Sequence, residues 1–142
     1  MFDSIEVLSN GLSVNRLRVN LLGSNIANAE TTKTEDGTPY KPKQLVQVAK
    51  TLQGSFSSSL DKMSLAKPVA MAVVEDNSPA RMVYQPGHPD ADENGYVSYP
   101  NINVVSAMTD LMTASRLYQA NATALETARE MLRQAREISI RY

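Results

Sequence analysis

All seven prolines fall between Pro39 and Pro100, so the first 38 residues and the last 42 lack the residue that most reliably breaks a helix. From Asn101 to Tyr142 there is no glycine either. At 1.5 Å per residue such a segment, if continuous, makes a helix of roughly 60 Å. A domain of 142 residues cannot enclose an element that long. The chain therefore divides into an N-terminal helix over 1–30, a punctuated β-rich middle region over 31–100 and a C-terminal helix over 101–142. The expected fold is mainly α with a small β-rich insert between long, coiled-coil-like terminal helices.

Both ends carry a seven-residue apolar repeat. Ile5, Leu12, Val19 and Ile26 recur every seven residues, with Leu8, Asn15, Leu22 and Ala29 three positions after each. Asp3 and Glu6 have the spacing of a capping box at the start of this helix. Gly11 and Gly23 each cost about 1 kcal/mol against alanine, so the helix needs a partner. In the last zone Val104, Leu111, Tyr118, Leu125 and Leu132 repeat at the same interval, followed by Ala107, Ala114, Asn121, Ala128 and Ala135. A helical hairpin with one shared core would use both stripes. The lengths argue against that, and alanine beside each large residue permits close packing with further helices, so the stripes read as assembly surface. Asn15 and Asn121 fall on the two seams, where a buried amide fixes register, and their direct pairing is a hypothesis.

The middle zone predicts short strands over 44–49, 69–75, 81–85 and 96–99, separated by Gly, Pro, Asn and Asp turns. Gly54 to Ser59 reads as a linker or an exposed loop tip.

Composition removes several functions. Fourteen Lys and Arg against fifteen Asp and Glu leave no basic excess for nucleic acid or anionic lipid, and no run of about 18 apolar residues would insert into a membrane. The C-terminal arginines interleave with Asp110, Glu126, Glu130 and Glu137, which reads as a mixed-charge face. Without cysteine there are no disulfides, thiolate zinc sites or cysteine nucleophiles. The start, MFDSIEVLSN, lacks the features of a secretory signal, so export would use another route. No phosphate-loop, dinucleotide, serine-hydrolase or helical zinc motif occurs, and no enzyme or cofactor is expected. His88 is the only histidine. Beyond it Asp90, Asp92, Asn94 and Gly95 match the opening of a calcium loop, yet its twelfth position, due a bidentate acid, is Asn101. A capped turn leading into the Tyr96 strand explains the same residues. A calcium-binding coiled-coil interaction module built on Asp90 to Gly95 remains the alternative function.

The run from Leu22 to Thr32, LGSNIANAETT, resembles the N-terminal signature of the bacterial flagellar axial family, the rod, hook and hook-filament junction components. Asn25, Ile26, Ala27, Asn28 and Thr31 carry the motif. TKTEDGTPYKPK from Thr32, the run from Ser78 to Val105 and SRLYQAN from Ser115 resemble the proximal rod branch. The resemblance implies a structural subunit of the basal-body rod, exported by the flagellar type III apparatus without a cleaved signal peptide. It would assemble in the periplasmic space with copies of itself and other rod proteins, next to the inner-membrane ring junction. The terminal helices would pair around an axial core, with the middle region facing outward. Ile5, Leu8, Leu12, Asn15, Val19, Leu22 and Ile26 are then the expected assembly contacts on the first helix, and Leu111, Tyr118, Asn121, Leu125 and Leu132 on the second. Asn25, Asn28 and Thr31 would end the first helix and set its exit direction through Asx-type bonds.

Overall fold

The computed structural model describes residues 2–51 and 66–140, so the Gly54 to Ser59 stretch lies outside the described residues. Among the described residues six elements follow one another: α1 (Phe2–Ala27), β1 (Lys43–Thr51), β2 (Ala66–Glu75), β3 (Arg81–Tyr84), β4 (Tyr96–Tyr99) and α2 (Val104–Ile140). At 1.5 Å per residue the 26 residues of α1 span roughly 39 Å and the 37 of α2 roughly 55 Å. No described helix is long and apolar enough to cross a membrane.

Local chemistry sets the helix ends. Asn103 caps α2, its Oδ1 accepting the Ser106 N–H at 3.1 Å. At the other end α1 already begins at Phe2, so Asp3 lies within its first turn and not ahead of it, and the Glu6 carboxylate pairs with Lys67 Nζ.

The two long helices pack on each other within the chain. Gly11 lies against Asn121, while Leu22 and Asn25 share a cleft with Ala107 and Asp110, so the helices run antiparallel. Part of the apolar stripe is thus satisfied intramolecularly, in spite of the lengths. The reason is that Gly11 and the alanines of α2 let a 39 Å helix lie closely along part of a longer one.

Two antiparallel hairpins fill the middle. β1 pairs with β2 from Lys43↔Glu75 to Thr51↔Ala66, with a bulge at Val46/Gln47, and this hairpin rests on α1. β3 pairs with β4 in register Arg81↔Tyr99 to Tyr84↔Tyr96. Val97 on β4 is the largest fully buried side chain among the described residues, at 0% exposure. Gly95, at φ +79°, turns the chain into β4, and a Cβ there would stand 3.0 Å from the Tyr84 ring.

Candidate functional site

The motif residues end α1 through three linked sets of hydrogen bonds. Asn28 donates twice to the Ser24 carbonyl, from its amide at 3.1 Å and its Nδ2 at 2.9 Å. Its Oδ1 accepts the Thr31 hydroxyl at 3.2 Å, and the Thr31 carbonyl accepts the Tyr40 N–H at 3.1 Å. Asn25 reaches much further along the chain. It is only 7% exposed, donates Nδ2 to the Lys43 carbonyl at 2.8 Å, and accepts the Lys43 N–H at 2.9 Å and the Tyr40 hydroxyl at 3.0 Å through Oδ1. One side chain thereby satisfies both backbone groups of the first residue of β1, as a neighbouring strand would. This long-range clamp, in place of a local Asx bond, directs the chain from α1 into the hairpin. Ile26 beside it is half-buried, and Ala27, the last helical residue, is exposed.

Along the helices the expected contact residues sort by depth. On α1 the buried positions are Gly11, Val14 and Asn25, while Ile5, Leu8, Leu12, Asn15, Val19, Leu22 and Ile26 are all half-buried. On α2 Ala114 and Leu125 are buried, with Leu111, Tyr118, Asn121 and Leu132 half-buried. No hydrogen bond joins Asn15 to Asn121 among the described residues. The Asn121 carboxamide lies over Gly11 instead, where an added Cβ would stand 3.2 Å from Nδ2. Gly11 is a contact that apolar periodicity misses, because glycine carries no hydrophobic signal.

Further apolar surface faces away from the seam. Leu117, Ala124, Met131 and Ile138, again seven residues apart, are exposed, and so are Val105, Met108 and Met112. The same outer surface carries charge: Arg133 forks onto Glu130 at 2.8 and 3.1 Å, which holds the Glu130 carboxyl below its ordinary range. An open cleft of about 490 Å³ separates the end of α1 from the start of α2, lined by Arg18, Leu22, Asn25, Asp76, Asp110 and others. The Asp76 carboxylate at its rim accepts the Ser78 hydroxyl and N–H and is held below the usual carboxylate range by those bonds.

The loop from Gln85 to Gly95 uses its acids structurally. Asp92 Oδ1 accepts the N–H groups of Asn94 at 2.9 Å and Tyr96 at 2.8 Å, and Asp90 Oδ2 accepts the Thr32 hydroxyl at 2.8 Å. His88 Nδ1 accepts the Asp90 N–H at 3.1 Å. Asp92 therefore caps the turn and Asp90 ties it to the segment after α1, which leaves the calcium alternative without support. Among the described residues no three His, Asp or Glu side chains gather to hold an ion.

Comparison with known proteins gives the family. Residues 93–138 match the family described as flagellar basal body rod FlgEFG protein, C-terminal. The flagellar basal-body rod protein FlgC of Borreliella burgdorferi is 37% identical, covering 95% of each chain. The FlgC of Salmonella typhimurium is 36% identical over 93% of this chain and 92% of its own, and that of Bacillus subtilis 34% over 96% and 97%. With such identity sustained along nearly the whole length, the chain belongs to the FlgC family of flagellar basal-body rod proteins.

Proposed function

We infer that this chain is a structural subunit of the bacterial flagellar basal-body proximal rod, and not an enzyme. The observation that carries the reading is the 37% identity over 95% of both chains with a basal-body rod protein. The subunit polymerises with copies of itself and with other rod proteins through its terminal helices, forming a hollow shaft that transmits torque. It reaches the periplasmic space through the flagellar type III export apparatus and sits by the inner-membrane ring junction.

The physics of the chain supports this. Stiffness is what a shaft requires, and densely packed helices supply it. Apolar side chains such as Leu117 and Met131, exposed in the single chain, give each incoming subunit surface to bury against subunits already in place, which offsets the entropy lost on ordering. Contacts that do not close on themselves build a helical tube instead of a ring. Electron microscopy of envelopes from a strain lacking the gene tests the reading. Rods and hooks should be absent, with swimming lost, and the intact gene should restore all three. Normal rods in that strain would remove it.

A further inference from the structure

Two Asn–Gly steps occur in the sequence, Asn10–Gly11 and Asn94–Gly95. An asparagine before glycine is the peptide step most open to spontaneous loss of its side-chain amide, because glycine has no side chain to shield its nitrogen and its backbone turns freely. The fold treats the two steps differently.

Asn10 lies inside α1, and its Nδ2 is engaged, donating to the Glu6 carbonyl at 3.0 Å. Gly11 is buried, with the Asn121 carboxamide close against it. Freeing that nitrogen requires the helix to unwind and the contact between α1 and α2 to part. Asn94 is instead exposed in the loop between β3 and β4, and among the described residues only its backbone is bonded, donating N–H to Asp92 Oδ1 at 2.9 Å. Gly95 after it is held by a turn. Its N–H donates to the Asp92 carbonyl at 3.0 Å, and its own carbonyl accepts the Gln85 N–H at 2.8 Å. Asp92 Oδ1 also takes the Tyr96 N–H at 2.8 Å, so the bonds that keep the turn shut converge on one residue. Local opening of an exposed loop is far less costly than parting a helix pair.

We propose that Asn94–Gly95 is a site of spontaneous deamidation, that the turn held by Asp92 gates it, and that its isoaspartate product cannot close the turn again. When the turn opens, the Gly95 nitrogen gives up its proton to solvent base and bonds to the Asn94 side-chain carbonyl carbon. The bond from that carbon to Nδ2 breaks, ammonia leaves, and a cyclic imide remains. Water then opens the imide at either carbonyl, to aspartate or to isoaspartate. The net change is water in and ammonia out.

The two products differ in what they do to the hairpin. Aspartate leaves the backbone atoms in place and adds one negative charge beside Asp90, Asp92 and Glu93. Isoaspartate routes the backbone through the side chain and so lengthens it by one methylene, directly before Gly95. That glycine has no slack, since it sits at φ +79° with the Tyr84 ring and Pro86 against it. Its carbonyl is then displaced from the Gln85 N–H, and the pairing of Tyr84 with Tyr96 loses the bond beside it.

Purified full-length protein, aged in warm, mildly alkaline buffer and mapped by mass spectrometry with fragmentation to place each conversion, tests the site. Asn94 should convert several-fold faster than Asn10 in the folded chain, and the two rates should come together in urea. Equal rates in the folded chain, or no conversion of Asn94 until urea is added, would overturn the proposal. Asp92→Ala should raise the Asn94 rate roughly tenfold, because two hydrogen bonds that hold the turn are lost, and leave Asn10 unchanged. No rise, or the same rise at both steps, removes Asp92 as the gate. Hydrogen exchange at the Gln85 amide should be fast in the isoaspartate chains of the aged sample and slow in Asn94→Asp. An isoaspartate chain that still protects this amide would show that the turn closes after all.

Discussion

The hairpin of β3 and β4 and the pair of long helices differ in how their exposed apolar side chains are arranged. In the hairpin, Val97 is fully enclosed and Asp92 of the connecting loop accepts two of the hairpin's own amides, while Met82, Tyr84 and Tyr96 stay exposed, the two tyrosines edge-on with ring centroids 5.3 Å apart. In the helix pair only Val14, Ala114 and Leu125 among the described apolar residues are buried, and on α2 whole rows remain in contact with solvent. The hairpin's exposed residues cluster around one enclosed valine and a turn fixed by its own hydrogen bonds, whereas those of α2 line up along the helix. A subunit that presents a fixed outer shape while completing its core with neighbours needs both arrangements.

The largest effects should come from striking the seam itself. Leu125 is 8% exposed, so Leu125→Asp buries a charge without a partner and should cost about 3–5 kcal/mol. Urea denaturation followed at the helical circular-dichroism band should show the loss in the isolated chain, and envelopes should contain no incorporated subunit. Met131→Asp is the sharpening control, because the same change on the exposed row should shift the isolated chain by no more than about 0.5 kcal/mol. Equal destabilisation by the two would erase the distinction between seam and outer surface.

Next in size is the closed region. Val97→Ala should cost about 2–3 kcal/mol of local stability, since it removes a fully enclosed side chain from a small core. Because three of the six tyrosines, Tyr84, Tyr96 and Tyr99, lie in that hairpin and the chain has no tryptophan, near-ultraviolet circular dichroism reports on it once Tyr40, Tyr118 and Tyr142 are replaced by phenylalanine. The near-ultraviolet signal should melt before the helical band does. If both bands fall together, the hairpin and the helices form one cooperative unit and the contrast between them weakens.

The junction of helix and hairpin should respond less. Asn25→Ala removes three hydrogen bonds and strands the Lys43 backbone groups, a loss of about 2 kcal/mol. Asn25→Asp keeps the acceptor for the Lys43 N–H and the Tyr40 hydroxyl and loses only the donor, so it should cost less. Hydrogen exchange at the Lys43 amide distinguishes them: fast in the alanine variant, still protected in the aspartate one.

Much of this molecule is legible in its sequence, and the gaps have a common cause. Strands expected over 69–75, 81–85 and 96–99 match β2, β3 and β4 closely, because β-branched runs between Gly, Pro and Asn turns are strong local signals. The long helices followed from the placement of proline. What periodicity could not show was which side of α1 meets α2. It weights bulky residues and so marks Leu12, Val19 and Ile26, whereas the close approach runs through Gly11 and the deepest polar contact through Asn25. The Asn25 clamp was equally hidden, since nothing local connects it to Lys43, 18 residues away. Contacts made by small and polar residues across long sequence separations leave little trace in a hydrophobic pattern.

The smallest expected effect isolates that lesson at two glycines of one helix. In an exposed helix interior alanine is favoured over glycine by about 1 kcal/mol, because glycine loses more backbone freedom on folding. At Gly23 nothing lies within 4 Å of an added Cβ, so Gly23→Ala should gain close to that full amount. At Gly11 the same Cβ would meet Asn121 Nδ2 at 3.2 Å, tight enough that the carboxamide must shift. There the propensity gain and the displacement should nearly cancel. Urea midpoints of the two single variants and the double variant measure the difference. A clear gain at Gly23 with none at Gly11 means that the helices touch through glycine at one point and leave it idle at the other. Equal gains would mean that the antiparallel pair is loose enough for Asn121 to move freely, and the seam would then be as open as the outer rows.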